Sequence, residues 1–214
     1  LAKAIASKVD NDAMDALLSA QLIYDSSSTQ IGYEPIVDAV DVFDEEINSQ
    51  KVMFVHPKQV TKLRKDSNFI SADKYTGKVI MSGEIGMIAN TRIVPSKKVE
   101  LFSEWYSFCE SSASGATEVT SSNLAAIKKS LPGVKVGDYV LKSTTAVYFN
   151  PIVKLNNDAE TEEDAPALTV YLKRDTNVET ERVTLARKTD ISVDKMYGVA
   201  LSNTAKVVLA KIKK

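Results

Sequence analysis

The sequence of 214 residues holds one cysteine, one histidine and one tryptophan. A lone cysteine, Cys109, cannot build a disulfide framework, and with His56 as the single imidazole no Cys/His metal cage can close. Glycine and proline are scarce, at eight and six residues, and nowhere gather into a linker that divides the chain. No apolar stretch approaches the ~18 residues of a membrane span. The opening does not read as a secretion signal, and Leu1, in place of Met, falls inside a helical pattern, which points to residues upstream. Gly83-Glu84-Ile85-Gly86 is only GxxG, Gly77 to Gly83 lacks the Lys-Ser/Thr of a phosphate loop, and no Gly-x-Ser-x-Gly elbow presents a serine.

What remains is an ordinary globular composition, 44% hydrophobic and 26% charged with a net charge of −1. That is enough chain for a core of its own in one or two domains. The charge is uneven along the chain. Residues 1–50 carry two bases against ten acids, and residues 51–100 ten bases against four acids. A near-neutral chain with opposed segments suits self-association between unlike faces, or neutralisation within one fold, better than wrapping nucleic acid. Basic groups cluster at Lys62, Arg64 and Lys65, at Lys97 and Lys98, and at Lys206, Lys211, Lys213 and Lys214. No aromatic residues interleave with them to stack bases.

From Leu1 to about Tyr24 the apolar residues Leu1, Ile5, Val9, Ala13, Ala16, Leu17 and Ala20 make one helical stripe, which a polar loop at Asp25–Thr29 ends. Ile36, Val40, Phe43 and Ile47 predict a second helix with Pro35 in its first turn. Residues 52–55 read as a buried strand, and His56-Pro57 stops it and starts a helix carrying Val60 and Leu63. Tyr75 to Lys78 reads as a turn. Residues 85–95 read as a broken strand turning at Ala89-Asn90-Thr91. A Ser/Thr-rich loop at 110–123, a short helix near 124–131 and strands near 139–141 and 146–149 suggest a small insertion, and an acidic loop spans 156–166. Residues 168–172, 182–186 and 207–212 read as strands, with 190–196 turn-rich. Strand–helix–strand order in the middle argues for α/β or α+β packing.

Chemistry is thinly represented. His56 reads as a residue capping a strand end rather than a general base. Cys109 follows Trp105, Tyr106 and Phe108 and reads as a buried, inert thiol. Asp10 and Asp12 point apart on a helix, while Asp12 and Asp15 can meet. Their plain reading is a solvated or subunit-contacting face. The acidic residues at 158–164 lack the central glycine of a calcium loop.

Some stretches are familiar in order. Lys51-Val52-Met53-Phe54-Val55-His56-Pro57-Lys58-Gln59-Val60, then Leu63-Arg64-Lys65-Asp66 and Phe69, resembles a tailed-phage major capsid protein. So do Ser82 to Ile88, Asn90 to Ser96, Tyr171 to Asp175, Leu185 to Arg187, Tyr197 to Leu201 and Val207 to Lys211, and the opening Lys8 to Asp12 fits as well. The likeness spans residues 1–100 and 148–214; residues 103–147 have no counterpart and read as an addition. The resemblance implies an α+β fold with a spine helix and β-sheet in a peripheral domain (1–27 and 166–214) and an inserted α/β axial domain (28–165). The C-terminal strands would return to the peripheral sheet. The family's N-terminal arm and extended loop have no counterpart in these residues.

The implied role is structural, with no enzyme activity, cofactor or metal: hexamers and pentamers of an icosahedral shell around double-stranded DNA. The implied location is the virion, assembled in the bacterial cytoplasm. Partners would be further copies, scaffolding and portal proteins and packaged DNA bound without specificity, and no membrane. Charge opposition marks Asp10, Asp12 and Asp15 as contacts for Lys173, Arg174 and Arg187 of a neighbour. The competing readings are a small α/β enzyme using His56 and Cys109, and an adaptor or nucleic-acid-binding module using Lys62, Arg64 and Lys65.

Overall fold

The computed structural model describes residues 2–45, 49–66, 87–155 and 165–214. Ile47, the turn expected at Tyr75–Lys78 and the acidic residues 158–164 lie outside them. In chain order the elements begin with α1 (Ala2–Leu17), β1 (Leu22–Gln30), α2 (Tyr33–Asp41), β2 (Lys51–Val55), α3 (Pro57–Leu63), β3 (Met87–Ile88) and β4 (Thr91–Pro95). Next come β5 (Leu101–Phe102), β6 (Trp105–Phe108), β7 (Ala116–Glu118), α4 (Leu124–Ile127) and β8 (Tyr139–Ser143). The chain ends with β9 (Val147–Lys154), β10 (Leu168–Val183), β11 (Lys188–Leu201) and β12 (Val207–Lys213).

The central sheet runs β1-β12-β9-β2-β4-β3, with β5 also paired to β9. β12 lies parallel to β1 and antiparallel to β9. Because side chains alternate along a strand, β12 feeds two cores. Val208, Ala210 and Ile212 join Ile36, Met53, Val60 and Leu63 on one face. Val207 and Leu209 join Leu17, Trp105 and Phe149 on the other. Burial on both faces is why residues 207–212 are almost continuously apolar. β12 thus belongs to the central sheet, whereas the C-terminal strands were expected in the peripheral one.

Pro151 sits inside β9, where a proline removes a ladder donor. The Phe149 N–H points away from β12, to the Glu100 carbonyl at 3.2 Å, so the Pro151 nitrogen, two residues on, faces the same way. On that side β5 pairs with β9 only at Val147 and Tyr148, and β2 only from Ile152 onward. The missing donor falls in the gap between them.

Several segments depart from the sequence expectation: of 182–186, expected as a strand, residues 184–186 lie in the turn between β10 and β11, and α2 stops at Asp41 before Phe43. Asp25–Thr29, expected as a loop ending a helix at Tyr24, lies within β1, and α1 stops at Leu17. β1 pairs with β12 alone among the described strands and buries Ser26, so an edge position tolerates its polar residues. Residues 190–196, expected as turn-rich, lie in β11. There Ile191, Val193, Tyr197, Val199 and Leu201 alternate with period two, and that periodicity outweighs the Asp and Ser between them.

Residues 105–143 form a separate three-stranded sheet, β6-β8-β7. Its small core holds Val119, Ile127, Leu131, Val134 and Val140. This accounts for the segment that had no counterpart in the capsid resemblance. Ala89 and Asn90, at φ of 46° and 56°, make the tight two-residue turn between β3 and β4.

His56 opens α3 as its N-cap. Its Nδ1 accepts from the Lys58 N–H at 3.2 Å, and the Gln59 Oε1 accepts the His56 N–H at 3.3 Å. The ring stacks on Tyr148 at 4.9 Å. Burial, with Lys58 and Lys97 nearby, holds the imidazole below its ordinary 6.5, so the folded state keeps the neutral ring that the cap needs.

Two outcomes follow for stability. Leu209→Ala, which empties part of the second core, is expected to cost about 2–5 kcal/mol in denaturant unfolding. The unfolded chain binds a proton at His56 more readily than the folded one, so the cap's contribution is whole above pH 6.5. It is lost as pH falls from there through the lower folded-state value. His56→Asn, which keeps a capping side chain, should flatten that part of the thermal stability–pH curve, while His56→Ala costs about 1 kcal/mol at neutral pH.

Candidate assembly surface

Strands β10 and β11, of 16 and 14 residues, form a two-stranded antiparallel ribbon outside the central sheet. At roughly 3.3 Å per residue it is about 50 Å long, about twice the length of the 16-residue helix α1. α1 lies against the base of the ribbon. Tyr197 and Val199 of β11 are half-buried, and the Tyr197 hydroxyl donates to Asp12 Oδ2 at 2.6 Å. Lys8 pairs with the same carboxylate one helical turn away. Bonds from Lys8 and Tyr197 hold the Asp12 carboxyl below the usual carboxylate range. On its other flank α1 is tied to the loop after β4, where Lys98 reaches Asp10 at 3.0 Å and the Ser7 carbonyl at 3.3 Å.

Beyond α1 the ribbon is exposed. Its pairing shifts register on either side of Arg174, which is how bulges bend a strand pair. Tyr171, Leu172, Val178, Ile191 and Met196 stand in solvent, and Leu185 in the tip turn is 100% exposed. Isolated two-stranded ribbons are marginal in water, and exposed apolar residues on a projecting arm mark a contact surface.

The six charged residues marked in the sequence divide into two groups. Asp10 and Asp12 are engaged within the chain by Lys98, Lys8 and Tyr197. Arg174 pairs across the ribbon with Asp194. Asp15, Lys173 and Arg187 are exposed, and Arg187 takes a positive φ of 50° in the tip turn. Among the described residues no group of three His, Cys, Asp or Glu side chains is placed to hold a metal. Near Asp15 stands Glu100, whose carboxyl is pushed up by burial and by the charge of Asp15.

His56 and Cys109 are held by different neighbours. His56 caps α3, while Cys109 follows β6 and donates its N–H to the Tyr139 carbonyl at 3.0 Å. Its thiol, expected to be buried, is half-buried, because the small sheet is too thin to enclose it. Of the C-terminal lysines, Lys206 and Lys211 are buried, and Lys211 lies 4.6 Å over the Trp105 ring and 5.2 Å from Phe149. They do not form a basic surface.

Sequence reasoning missed Tyr197 and the buried trio of Glu45, Lys51 and Lys154. Alternation along β11 could have found Tyr197. The trio had no local signal. Lys51 and Lys154 lie opposite each other on β2 and β9, and Glu45 joins them at 2.5 and 3.1 Å. Burial alone would raise the Glu45 carboxyl, but Lys51, Ser49 and Lys154 hold it lowered.

With this geometry in place, comparison with known proteins is decisive for the fold. No protein-family model matches the chain. Over 97 residues it is 33% identical to the major capsid protein of Staphylococcus phage phiMR11, a match covering 44% of this chain and 35% of that protein. The head structure of Helicobacter pylori bacteriophage KHP40 matches 100% of this chain and 67% of its own, with a TM-score of 0.61 at 12% identity. The acidic stable capsid structure of Helicobacter pylori bacteriophage KHP30 matches 96% of this chain and 65% of its own, with a TM-score of 0.59 at 13% identity. The chain has the tailed-phage major capsid fold. A structure from Mycobacterium phage Che8 agrees, with a TM-score of 0.55 at 16% identity over 98% of this chain and 60% of that one. The resemblance read in the sequence and the α+β capsid fold are thereby borne out. The matched stretch spans about a third of the length of the staphylococcal phage protein, and this chain about two thirds or less of the three solved phage chains.

Tyr197→Phe keeps the ring but removes the bond to Asp12. Hydrogen exchange should then show several-fold faster opening of the α1 amides, with the central sheet unchanged.

Proposed function

We propose that this chain is the shell-forming part of a phage major capsid protein, whose copies assemble into the hexamers and pentamers of an icosahedral head around double-stranded DNA. The observation that carries the reading is the capsid fold over essentially the whole chain, joined to a ribbon arm that a lone subunit leaves in water. The role is structural: burial repeated over many copies supplies the stability, and symmetry closes the shell. In this reading α1 and the ribbon form the peripheral part of the subunit and the central sheet the axial part. The partners are further copies, with scaffolding and portal proteins and packaged DNA as the remaining contacts in the virion, assembled in the bacterial cytoplasm.

Of the charged residues marked in the sequence, Asp15, Lys173 and Arg187 keep their place as subunit contacts. A cation from a neighbour would relieve the repulsion between Asp15 and Glu100. Asp10, Asp12 and Arg174 act within the subunit, orienting α1 and the ribbon.

Light scattering and electron microscopy on the protein at its natural length test the reading. Uniform shells or rings of capsomers are expected; a species that stays monomeric across protein and salt concentrations, with or without a scaffold, counts against it. Lys173→Glu with Arg187→Glu should reduce assembly while leaving the thermal unfolding midpoint close to wild type, since both side chains stand in solvent.

A further inference from the structure

Helices α2 and α3 pack on the same core, through Ile36 and Ala39 of the first and Val60 and Leu63 of the second. They therefore cover one face of the central sheet. The Tyr33 N–H at the start of α2 donates to Asp66 Oδ2, just past α3, at 2.7 Å. Their outward sides are opposite in charge. Glu34, Asp38 and Asp41 lie along α2, and Lys58, Lys62 and Lys65 lie along α3 and its end. Each set is spaced by four and then three residues, which aligns three charges in a ridge about 10 Å long.

Among the described residues neither ridge is neutralised. No base among them meets Glu34, Asp38 or Asp41, and Asp38 accepts from the Tyr24 hydroxyl at 3.1 Å. No acid among them meets Lys58, Lys62 or Lys65. Each ridge works in part against its own helix, although Glu34 in the first turn of α2 and Lys62 in the last turn of α3 suit the dipole. Like charges one turn apart repel. Asp38 and Asp41 stand toward the C-terminal end of α2, which has no base in its last turn, and Lys58 stands in the first turn of α3. Those are the ends at which the helix dipole disfavours each sign. Local choices that oppose the fold are expected where a surface is shaped for another purpose.

We infer that the acidic ridge of α2 docks against the basic ridge of α3 on a neighbouring copy of this chain. The ridges match in length, spacing and opposite sign, and they lie on one face of a subunit whose net charge is −1. A contact between two different patches, repeated head to tail, closes a ring where the rotation between copies brings the last back to the first. Nucleic acid would engage only the basic ridge and leave the acidic one unexplained. The inference rests on the proposed capsid role and names the surfaces by which copies recognise each other.

A charge exchange in the full-length protein tests it. Asp38→Lys with Asp41→Lys, and separately Lys58→Glu with Lys65→Glu, should each raise the protein concentration needed for assembly by about tenfold. All four substitutions together should restore it toward wild type. Reversal improves the dipole match at Asp38, Asp41 and Lys58 and worsens it at Lys65, so the thermal unfolding midpoint of each variant, expected close to wild type, separates loss of assembly from loss of a helix. Wild-type assembly should also weaken as salt rises from about 0.05 to 0.5 M. Single-ridge reversals that leave assembly unchanged, a combined variant as deficient as either parent, or salt-insensitive assembly overturn the contact. Loss of DNA binding in the Lys58/Lys65 variant with unaltered assembly overturns it in favour of nucleic acid. In all these outcomes the wild type still assembles, which separates them from failure of the capsid reading, with which the inference would also fall.

Discussion

Strand β12 is enclosed at both edges by β1 and β9 and on both faces by a core. Its position sets requirements elsewhere. The last segment of the chain must be in place before the sheet is whole, so β1, near the opposite end, pairs with residues almost two hundred positions away. Contacts of such sequence separation carry a large loop-closure cost before they contribute stability. The enclosure also explains Lys211. Its 2% exposure would be prohibitive for a bare ammonium, yet it falls on the face that carries Trp105 and Phe149, whose rings supply the attraction. Burial still lowers its pKa, opposed in part by Asp25.

The ribbon obeys a different constraint. It shares no strand with the sheet and rests on α1, where Leu168 and Leu201 at its base pack with Met14 and Leu17 and the Tyr197 hydroxyl meets Asp12. Exposed polar contacts contribute little individually, so the Tyr197 bond orients the ribbon more than it stabilises it. A rigid sheet carrying a lightly held arm suits a subunit that must meet neighbours at slightly different angles. The buried Glu45 bridge contrasts with it. There one carboxylate reconciles two lysines facing each other across β2 and β9.

Much of this was legible in residues whose local pattern agrees with their surroundings. The α1 stripe, the 52–55 strand with its His56-Pro57 stop, the turn at Ala89-Asn90 and the apolar run at 207–212 are each specified by nearby side chains. The failures share a cause. Asp25–Thr29 is polar and becomes a strand because β12 offers its edge. Residues 190–196 are rich in turn formers and become a strand because residues 168–183 pair with them. The roles of Asp12 and Lys98 rest on partners 185 and 88 positions away, separations that no local pattern encodes. The capsid resemblance rested on the order of short segments across the chain, and so captured long-range arrangement that periodicity could not.

The division of charge acquires a physical sense in this frame. Acids engaged within the subunit, Asp10, Asp12 and Glu45, sit where α1 or the sheet must be fixed. The α2 ridge carries acids that no base among the described residues answers. Three exposed pairs would contribute on the order of 1–3 kcal/mol per contact, too little to hold two isolated copies together. Around a closed ring each copy makes that contact twice, and the ring adds avidity without any new chemistry. Weak individual contacts also let a misplaced subunit leave before its neighbours lock it in. A shell built from them can correct its errors while it grows, which one strong apolar patch would prevent.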